Sequence, residues 1–218
     1  MAVSPYRVAF PAGGLKATWG DTCNCWWTAG SCWLMAGLFI TAWWWPLQLE
    51  DGRWVKLGVG VMVLEFILVH SGGVMHHLMV EKAAWNPLQQ VLGFIGLYLL
   101  FGASIALVFK SWWLLGSFAL VMSGRLYAVF HGMGEMDRAI AQRRMSASVL
   151  LYLGLLFTTL VLPVPPGGVT PEILDSVWPN RGGGAWTDQP EKALAMGAAY
   201  FLLLGLVEMR PPRRLLVP

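Results

Sequence analysis

The segment VKLGVGVMVLEFILVHSGGVMHHLMVEK, residues 55–82, decides the fold expected for this chain. Between Lys56 and Glu81 it is long and apolar enough to cross a bilayer as a helix, which takes about 20 residues. At membrane depth it also carries four ionisable side chains, Glu65, His70, His76 and His77. Because such a side chain in hydrocarbon is costly unless it faces protein or water, these residues mark a candidate functional site.

The composition is typical of a polytopic integral membrane protein. Of the 218 residues, 56% are hydrophobic and only 12% are charged, whereas about a quarter of the residues in soluble domains are charged. The formal net charge of +3 is small and dispersed, so nucleic acid is not an expected partner. The expected surroundings are the lipid bilayer, and one helical bundle of this size forms a single domain.

Hydropathy predicts an all-α bundle of six transmembrane helices. The spans are residues 26–46, 56–80, 88–109, 112–131, 146–163 and 192–208. An N-terminal segment, residues 1–25, precedes them. A long loop, residues 164–191, joins the last two spans, and its Thr170-Pro171-Glu172 sequence predicts a short helix that runs to Val177.

The distribution of lysine and arginine in the loops predicts the orientation. One side of the six-span arrangement carries nine basic residues, Arg7, Lys16, Lys82, Arg138, Arg143, Arg144, Arg210, Arg213 and Arg214. The other side carries five, Arg53, Lys56, Lys110, Arg181 and Lys192. The positive-inside rule therefore places both termini in the cytoplasm, and we expect the bacterial inner membrane.

Three cysteines lie close together where the first span begins. Cys23, Cys25 and Cys32 have no histidine nearby, so they form a weak metal site, and small packing residues or free thiols are the expected roles. A disulfide between Cys23 and Cys32 becomes the better interpretation if this end faces an oxidising compartment.

The second and fourth spans enter the membrane from the same side, so the depths of their polar residues can be compared. His70 and Arg125 both lie about four helical turns below the lysine that opens their span, and His77 and His131 both lie about six turns below it. This predicts an inner layer and a layer near the cytoplasmic end. The inner layer holds Glu65, His70 and Arg125; the other holds His76, His77, His131 and Glu135.

Within the inner layer, a buried ion pair between Glu65 and Arg125 is the simplest way to neutralise two charges, and it could serve packing alone. Helical angles limit larger sites. The His70–His77 direction lies about 140° from the Glu65–His76 direction on a regular helix, so all four side chains reach one site only if Ser71-Gly72-Gly73 breaks or widens the helix.

The first functional interpretation is a haem or another tetrapyrrole held by His77 and His131, which lie at equal depth on two helices. Gly72 and Gly73 leave room for a macrocycle beside the ligands. The chain would then be a small integral membrane subunit that docks with other subunits inside a larger membrane complex.

The second interpretation is a metal-dependent membrane enzyme. Imidazole and carboxylate ligands suit zinc or iron, and the candidate ligands are His70, His76, His77, His131, Glu135 and Glu65. Phe66-x-x-x-His70 and His131-x-x-x-Glu135 resemble fragments of the CAAX-protease and bacteriocin-processing family of intramembrane metalloproteases. The earlier EExxxR motif of that family is absent, and Glu135 stands where the family has Asn or Asp. The resemblance implies metal-assisted hydrolysis.

The third interpretation is a small proton or ion transporter. Its path would run through Glu65, His70 and Arg125, since ionisable residues inside a membrane commonly mark ion pathways. Two observations count against this interpretation: the six spans show no obvious inverted repeat, and the other four spans are nearly uncharged. The catalytic residues, if there are any, are not identified by the sequence.

Overall fold

The computed structural model describes residues 19–80, 87–112, 114–116, 119 and 135–209, with side chains for residues 26–71, 93–112, 114–116, 119 and 142–209. Within these residues every regular element is a helix, as predicted. The helices are α1 (Trp19–Trp44), α2 (Arg53–Val80), α3 (Pro87–Phe109), α4 (Glu135–Val161), α5 (Pro171–Val177), α6 (Ala185–Asp188) and α7 (Pro190–Glu208), with 3-10 turns at Pro46–Gln48 and Glu50–Gly52.

Three of the described segments are long and apolar enough to cross a membrane. They are Glu50–Ser71, Gln142–Val161 and Pro190–Glu208, and the shorter apolar stretch Gly93–Phe109 belongs to α3. These segments fall on the second, fifth, sixth and third predicted spans. The first span is helical as predicted, but its tryptophans, glycines and small polar residues make α1 less apolar. The fourth, residues 112–131, lies almost entirely outside the described residues.

The helix that contains the fifth predicted span begins before the span does. Hydropathy starts it at residue 146, whereas α4 begins at Glu135. The first turns of α4, EMDRAIAQRRM, are polar and charged, so hydropathy does not detect them. As a result Arg143 and Arg144, which count as loop residues in the sequence-based orientation, belong to a helix.

Helix α7 is the centre of the bundle, because it packs against α1, α2 and α4. Its contact with α1 is close. A Cβ atom added to Gly197 would lie 2.3 Å from Cε1 of Phe39, and one added to Gly205 would lie 2.4 Å from Nε1 of Trp33. Small residues commonly let transmembrane helices approach in this way.

Two apolar cores surround α2. The larger core joins α1, α4 and α7 and includes Phe39, Met62, Tyr152, Leu194 and Tyr200. The smaller core joins α2 to α3 and to the long loop, and it includes Val59, Tyr98, Phe109, Leu114 and Trp178. Helix α2 therefore carries one apolar contact surface on each side.

The long loop is fixed to one end of the bundle, which we call the loop end. Three contacts attach the loop: Trp43 to Pro165, Gly52 to Val177 and Phe109 to Trp178. At the same end, Lys192 of α7 donates a hydrogen bond to the carbonyl oxygen of Leu160 in α4. The predicted helix is confirmed as α5, with Thr170 at its N-cap. The Thr170 side chain also hydrogen-bonds with Glu172, which lowers the pKa of that exposed carboxyl. The opposite end contains the C-terminus of α7, and we call it the Glu208 end.

The close contact between α1 and α7 gives the first prediction. Gly197→Val should lower the melting temperature of the detergent-purified protein, because the added atoms overlap the buried Phe39 ring and overpacking costs about 1–3 kcal/mol. Gly37→Val is the matched control: it is also in a helix interior, in α1, but has no atom within 4 Å of its added Cβ. Equal melting temperatures for the two variants would contradict the described packing.

Candidate functional site

The centre of the bundle contains one carboxyl group that is held by a hydroxyl group from another helix. Tyr200 of α7, whose side chain is fully buried, donates a hydrogen bond of 2.8 Å from its hydroxyl to Oε1 of Glu65 in α2. Hydrogen bonds to a charged acceptor are stronger than those between neutral groups. Both residues lie within the segments that are long enough to cross a membrane. The contact therefore joins two spans at depth.

Helix α4 adds hydroxyl groups beside this contact. The Tyr152 hydroxyl donates a hydrogen bond of 2.7 Å to the carbonyl oxygen of Met62, one turn before Glu65. The Tyr152 ring meets the Tyr200 ring edge to face, with centroids 5.6 Å apart. Ser148, one turn before Tyr152, lies near the Tyr200 hydroxyl. Three helices thus contribute polar groups to one region.

An ion pair continues this polar region toward the Glu208 end. The guanidinium of Arg144 in α4 lies 3.0 Å from a carboxylate oxygen of Glu208, the last residue of α7. The two side chains retain only 26% and 11% of their exposure. The Ser148 hydroxyl donates a hydrogen bond of 3.0 Å to the Arg144 carbonyl oxygen, so the ion pair and the hydroxyl groups are adjacent.

Helix α1 contributes a thiol to the same region. Cys32 is buried and free, so it takes no part in the alternative disulfide with Cys23. Its thiol is close enough to Glu65 and to Glu208 to interact electrostatically with both carboxyl groups. We call the set Cys32, Glu65, Arg144, Ser148, Tyr152, Tyr200 and Glu208 the polar column.

The structure separates two residues that the sequence placed in one layer. Helix α2 continues to Val80, so its backbone is not broken at Ser71-Gly72-Gly73. Glu65 faces α7, whereas His70, about 140° away around the helix, is exposed and stacks on the Phe66 ring with centroids 6.2 Å apart. Glu65 and His70 therefore belong to different faces of α2.

The other predicted site residues lie outside the described side chains. They are Gly72, Gly73, His76, His77, Arg125, His131 and Glu135. The ion pair between Glu65 and Arg125, the tetrapyrrole site and the metal site accordingly stay predictions. Among the described residues, no group of three His, Cys, Asp or Glu side chains is placed to hold a metal ion.

Most of the polar column was missed by reasoning from the sequence. The fifth span is among those predicted to be nearly uncharged and has no candidate site residue assigned to it, yet α4 supplies Arg144, Ser148 and Tyr152. The available signal was that tyrosine needs a hydrogen-bond partner when it is buried, and that Arg144 precedes an apolar run by only two residues. Neither signal names the partner.

Comparison with protein-family models, with curated proteins and with solved structures gives no match for this chain. The similarity to intramembrane metalloproteases therefore rests on residues 66–70 and 131–135 alone. His70, the only histidine of these two fragments with a described side chain, is exposed. Function has to be inferred from the chemistry of the polar column and of the histidine face.

The ion pair between Arg144 and Glu208 gives the second prediction. Arg144→Met should destabilise the protein by about 3 kcal/mol, because it leaves the largely buried Glu208 carboxylate without this partner. The double variant Arg144→Met/Glu208→Met should recover most of that loss, since it removes both charges. The measurement is a double-mutant cycle of melting temperatures in detergent.

Arg143→Met serves as the control, because Arg143 is the exposed neighbour of Arg144 in the same turn. It should change the melting temperature little. If the double variant lost at least as much stability as the two single variants together, the pair would not act as a unit.

Proposed function

We propose that this chain is a small integral membrane protein that moves protons or another small cation, with Glu65 as the group that binds the ion. The observation that carries the proposal is the Glu65 carboxyl group, held by Tyr200 at membrane depth and continued by polar groups to one end of the bundle. A carboxylate inside a membrane is costly to keep, so a functional role is the default interpretation.

The polar column reaches only one end of the bundle in the described residues. From Tyr200 to Glu208 is eight residues of α7, or about 12 Å along the helix axis. On the other side of Glu65, toward the loop end, most of the buried side chains of the described residues are apolar, including Phe39, Val55 and Leu194, although Thr159 is a buried polar residue there. Glu65 therefore exchanges its ion with the Glu208 end, and release to the other side requires a second arrangement of the helices.

Hydroxyl groups give the column the chemistry that proton movement needs. A hydroxyl both donates and accepts hydrogen bonds, so Tyr200 and Ser148 can reverse their bonds as a proton arrives or leaves. Charged Arg144 at the end of the column attracts anions and repels free cations. Because Arg144 is paired with Glu208, the two charges offset one another. The Glu208 end of the polar column is then close to neutral and repels cations less than an unpaired arginine would.

The third prediction tests this transport with the purified chain in liposomes that contain a pH-sensitive dye. When a potassium gradient and an ionophore drive cations inward, the wild-type protein should acidify the lumen faster than protein-free liposomes do. Glu65→Gln should remove this excess rate, because it keeps the shape and removes the ionisable group. Tyr200→Phe should reduce the rate by about tenfold, since a hydrogen bond to a charged group contributes about 1.5–3 kcal/mol.

The control variant is Glu172→Gln, which neutralises an exposed carboxylate of α5 at the loop end. It should transport at the wild-type rate. Acidification by wild-type protein that persists in Glu65→Gln would show that the ion takes another path. The proposal would be overturned if liposomes with wild-type protein transported protons and each of several alkali cations no faster than protein-free liposomes do.

The second candidate function is a membrane subunit that holds a tetrapyrrole or a metal. The observation that favours it is the exposed His70 on the face of α2 opposite the polar column. His77 follows His70 by seven residues, close to two turns of the unbroken helix, so positions 70 and 77 lie on the same side of the α2 axis. This face is available to a cofactor or to other membrane subunits.

The fourth prediction distinguishes a bound haem from a bound zinc or iron ion. If His77 and His131 ligate a haem, the purified protein shows a Soret absorption band that His131→Ala or His77→Ala removes. His76→Ala is the control, because position 76 lies about 100° from position 77 around a regular helix. Stoichiometric zinc or iron that is lost in His70→Ala would instead indicate the metal-dependent enzyme. A colourless, metal-free preparation would contradict both.

We also propose the six-span arrangement in the bacterial inner membrane with both termini in the cytoplasm. Phe109, at the end of α3, and Leu160, near the end of α4, line one cavity at the loop end. Helix α4 has 27 residues and a length of about 40 Å, so its first residue, Glu135, lies at the Glu208 end. Residues 110–134 therefore connect opposite ends of the bundle, which supports a span there.

A further inference from the structure

A cavity of about 760 Å³ lies at the loop end, on the side of α2 away from the polar column. Helices α2, α3 and α4 form its walls, and residues 177–187 of the long loop cover it. Its volume is in the range of small-molecule sites. The proton or cation path proposed above does not use it.

Two lysines lie at this cavity, Lys56 of α2 and Lys110, which follows α3. The Nζ atom of Lys56 is 6.0 Å from the centroid of the Phe109 ring and 5.8 Å from that of Trp178. These contacts hold the ammonium group by cation–π attraction. The charges of Lys56 and Lys110 are close enough to repel one another.

Neither lysine forms an ion pair with a carboxylate of the described residues. The ion pairs found there join Arg53 to Glu50, Arg144 to Glu208 and Arg181 to Asp175. A second cavity, of about 570 Å³, adjoins the first; it is also lined by Lys56 and Lys110, together with the paired Arg53 and Glu50. Both lysines thus line both cavities, and an anion bound there would offset the repulsion between their charges.

Below the lysines the cavity is apolar. Val59 and Val63 of α2 and Leu156 and Leu160 of α4 line it, and Trp178 and Trp186 lie at its loop side. Tryptophan is enriched where a membrane protein meets the headgroup region. The cavity therefore presents positive charge at the level of the headgroups and hydrocarbon contacts at the level of the acyl chains.

We propose that this cavity binds one acidic phospholipid, with its phosphate between Lys56 and Lys110 and an acyl chain along Val59, Val63 and Leu156. Charge complementarity selects an anion, and the apolar walls select one that carries hydrocarbon. Lysines near an anionic headgroup contribute to binding through this attraction. The site is separate from the polar column, so the proposal stands whether or not Glu65 carries an ion.

The fifth prediction is tested by native mass spectrometry of the detergent-purified full chain with equal amounts of phosphatidylglycerol and phosphatidylcholine. The wild-type protein should retain one phosphatidylglycerol molecule in preference to phosphatidylcholine. Lys56→Gln/Lys110→Gln should weaken that binding by about tenfold or more, because both cations are lost. Lys56→Arg/Lys110→Arg should restore the preference, since arginine keeps the charge and the cation–π contacts.

Lys192→Gln is the matched control, because Lys192 is a cation of the loop end that donates to the Leu160 carbonyl oxygen and does not line either cavity. It should keep the preference for phosphatidylglycerol. Equal binding of the two lipids by the wild-type protein would overturn the proposal, as would an unchanged preference in Lys56→Gln/Lys110→Gln. Displacement of the lipid by an equal concentration of glycerol phosphate would show that the ligand is a soluble anion.

Discussion

The hydrogen bond from Tyr200 to Glu65 fixes how the second and last helices of this bundle align. A carboxyl group at membrane depth needs a partner, because hydrocarbon supplies none. In the described residues that partner comes from α7, which makes one relative position of α2 and α7 more favourable than its neighbours. The Tyr152 hydroxyl on the Met62 carbonyl aligns α4 with α2 in the same way. The ion pair between Arg144 and Glu208 then aligns α4 with α7.

These three contacts matter more for specificity than for total stability. Interhelical hydrogen bonds in membranes contribute only about 0.6 kcal/mol on average, whereas an unsatisfied polar group costs several times more. If one helix shifted by a turn, the energy lost from the three contacts themselves would be small. The larger cost would come from the buried polar groups, which would no longer have these partners. Close packing at Gly197 and Gly205 adds a steric condition, since the Phe39 and Trp33 rings occupy the space that larger residues would need.

The sequence predicts the helices well because hydrophobic length is a local property. It also identifies Glu65 as an unusual residue, and it predicts the α5 helix from Thr170, Pro171 and Glu172, whose capping chemistry is local. The partner of Glu65 could not be predicted in this way, because it depends on which helices pack together. Comparing depths between the second and fourth spans considered only charged residues and histidines, and the tyrosines of α4 and α7 were not counted.

The beginning of α4 shows a second limit of prediction from hydropathy. Residues 135–145 are polar, so they resemble a loop by composition, although they continue an apolar helix. Arg144 then contributes to the orientation count as a loop cation, while in the structure it pairs with Glu208 inside the bundle. A paired and largely buried arginine adds little to the charge of a loop. The difference in the number of basic loop residues between the two sides is therefore smaller than the sequence count suggests.

Helix α2 links the two regions that carry the chemistry of this molecule. Lys56 and Glu65 are nine residues apart, so their side chains point in opposite directions about 13 Å from each other along the axis. The loop-end cavity and the polar column consequently lie on opposite faces of one helix, with no side chain shared between them. A ligand that fills the cavity acts on Glu65 only if it moves α2, and such a movement changes the distance from Glu65 to Tyr200. Electrostatic attraction across the helix is weak by comparison, because about 13 Å along the axis exceeds the Debye length at physiological salt.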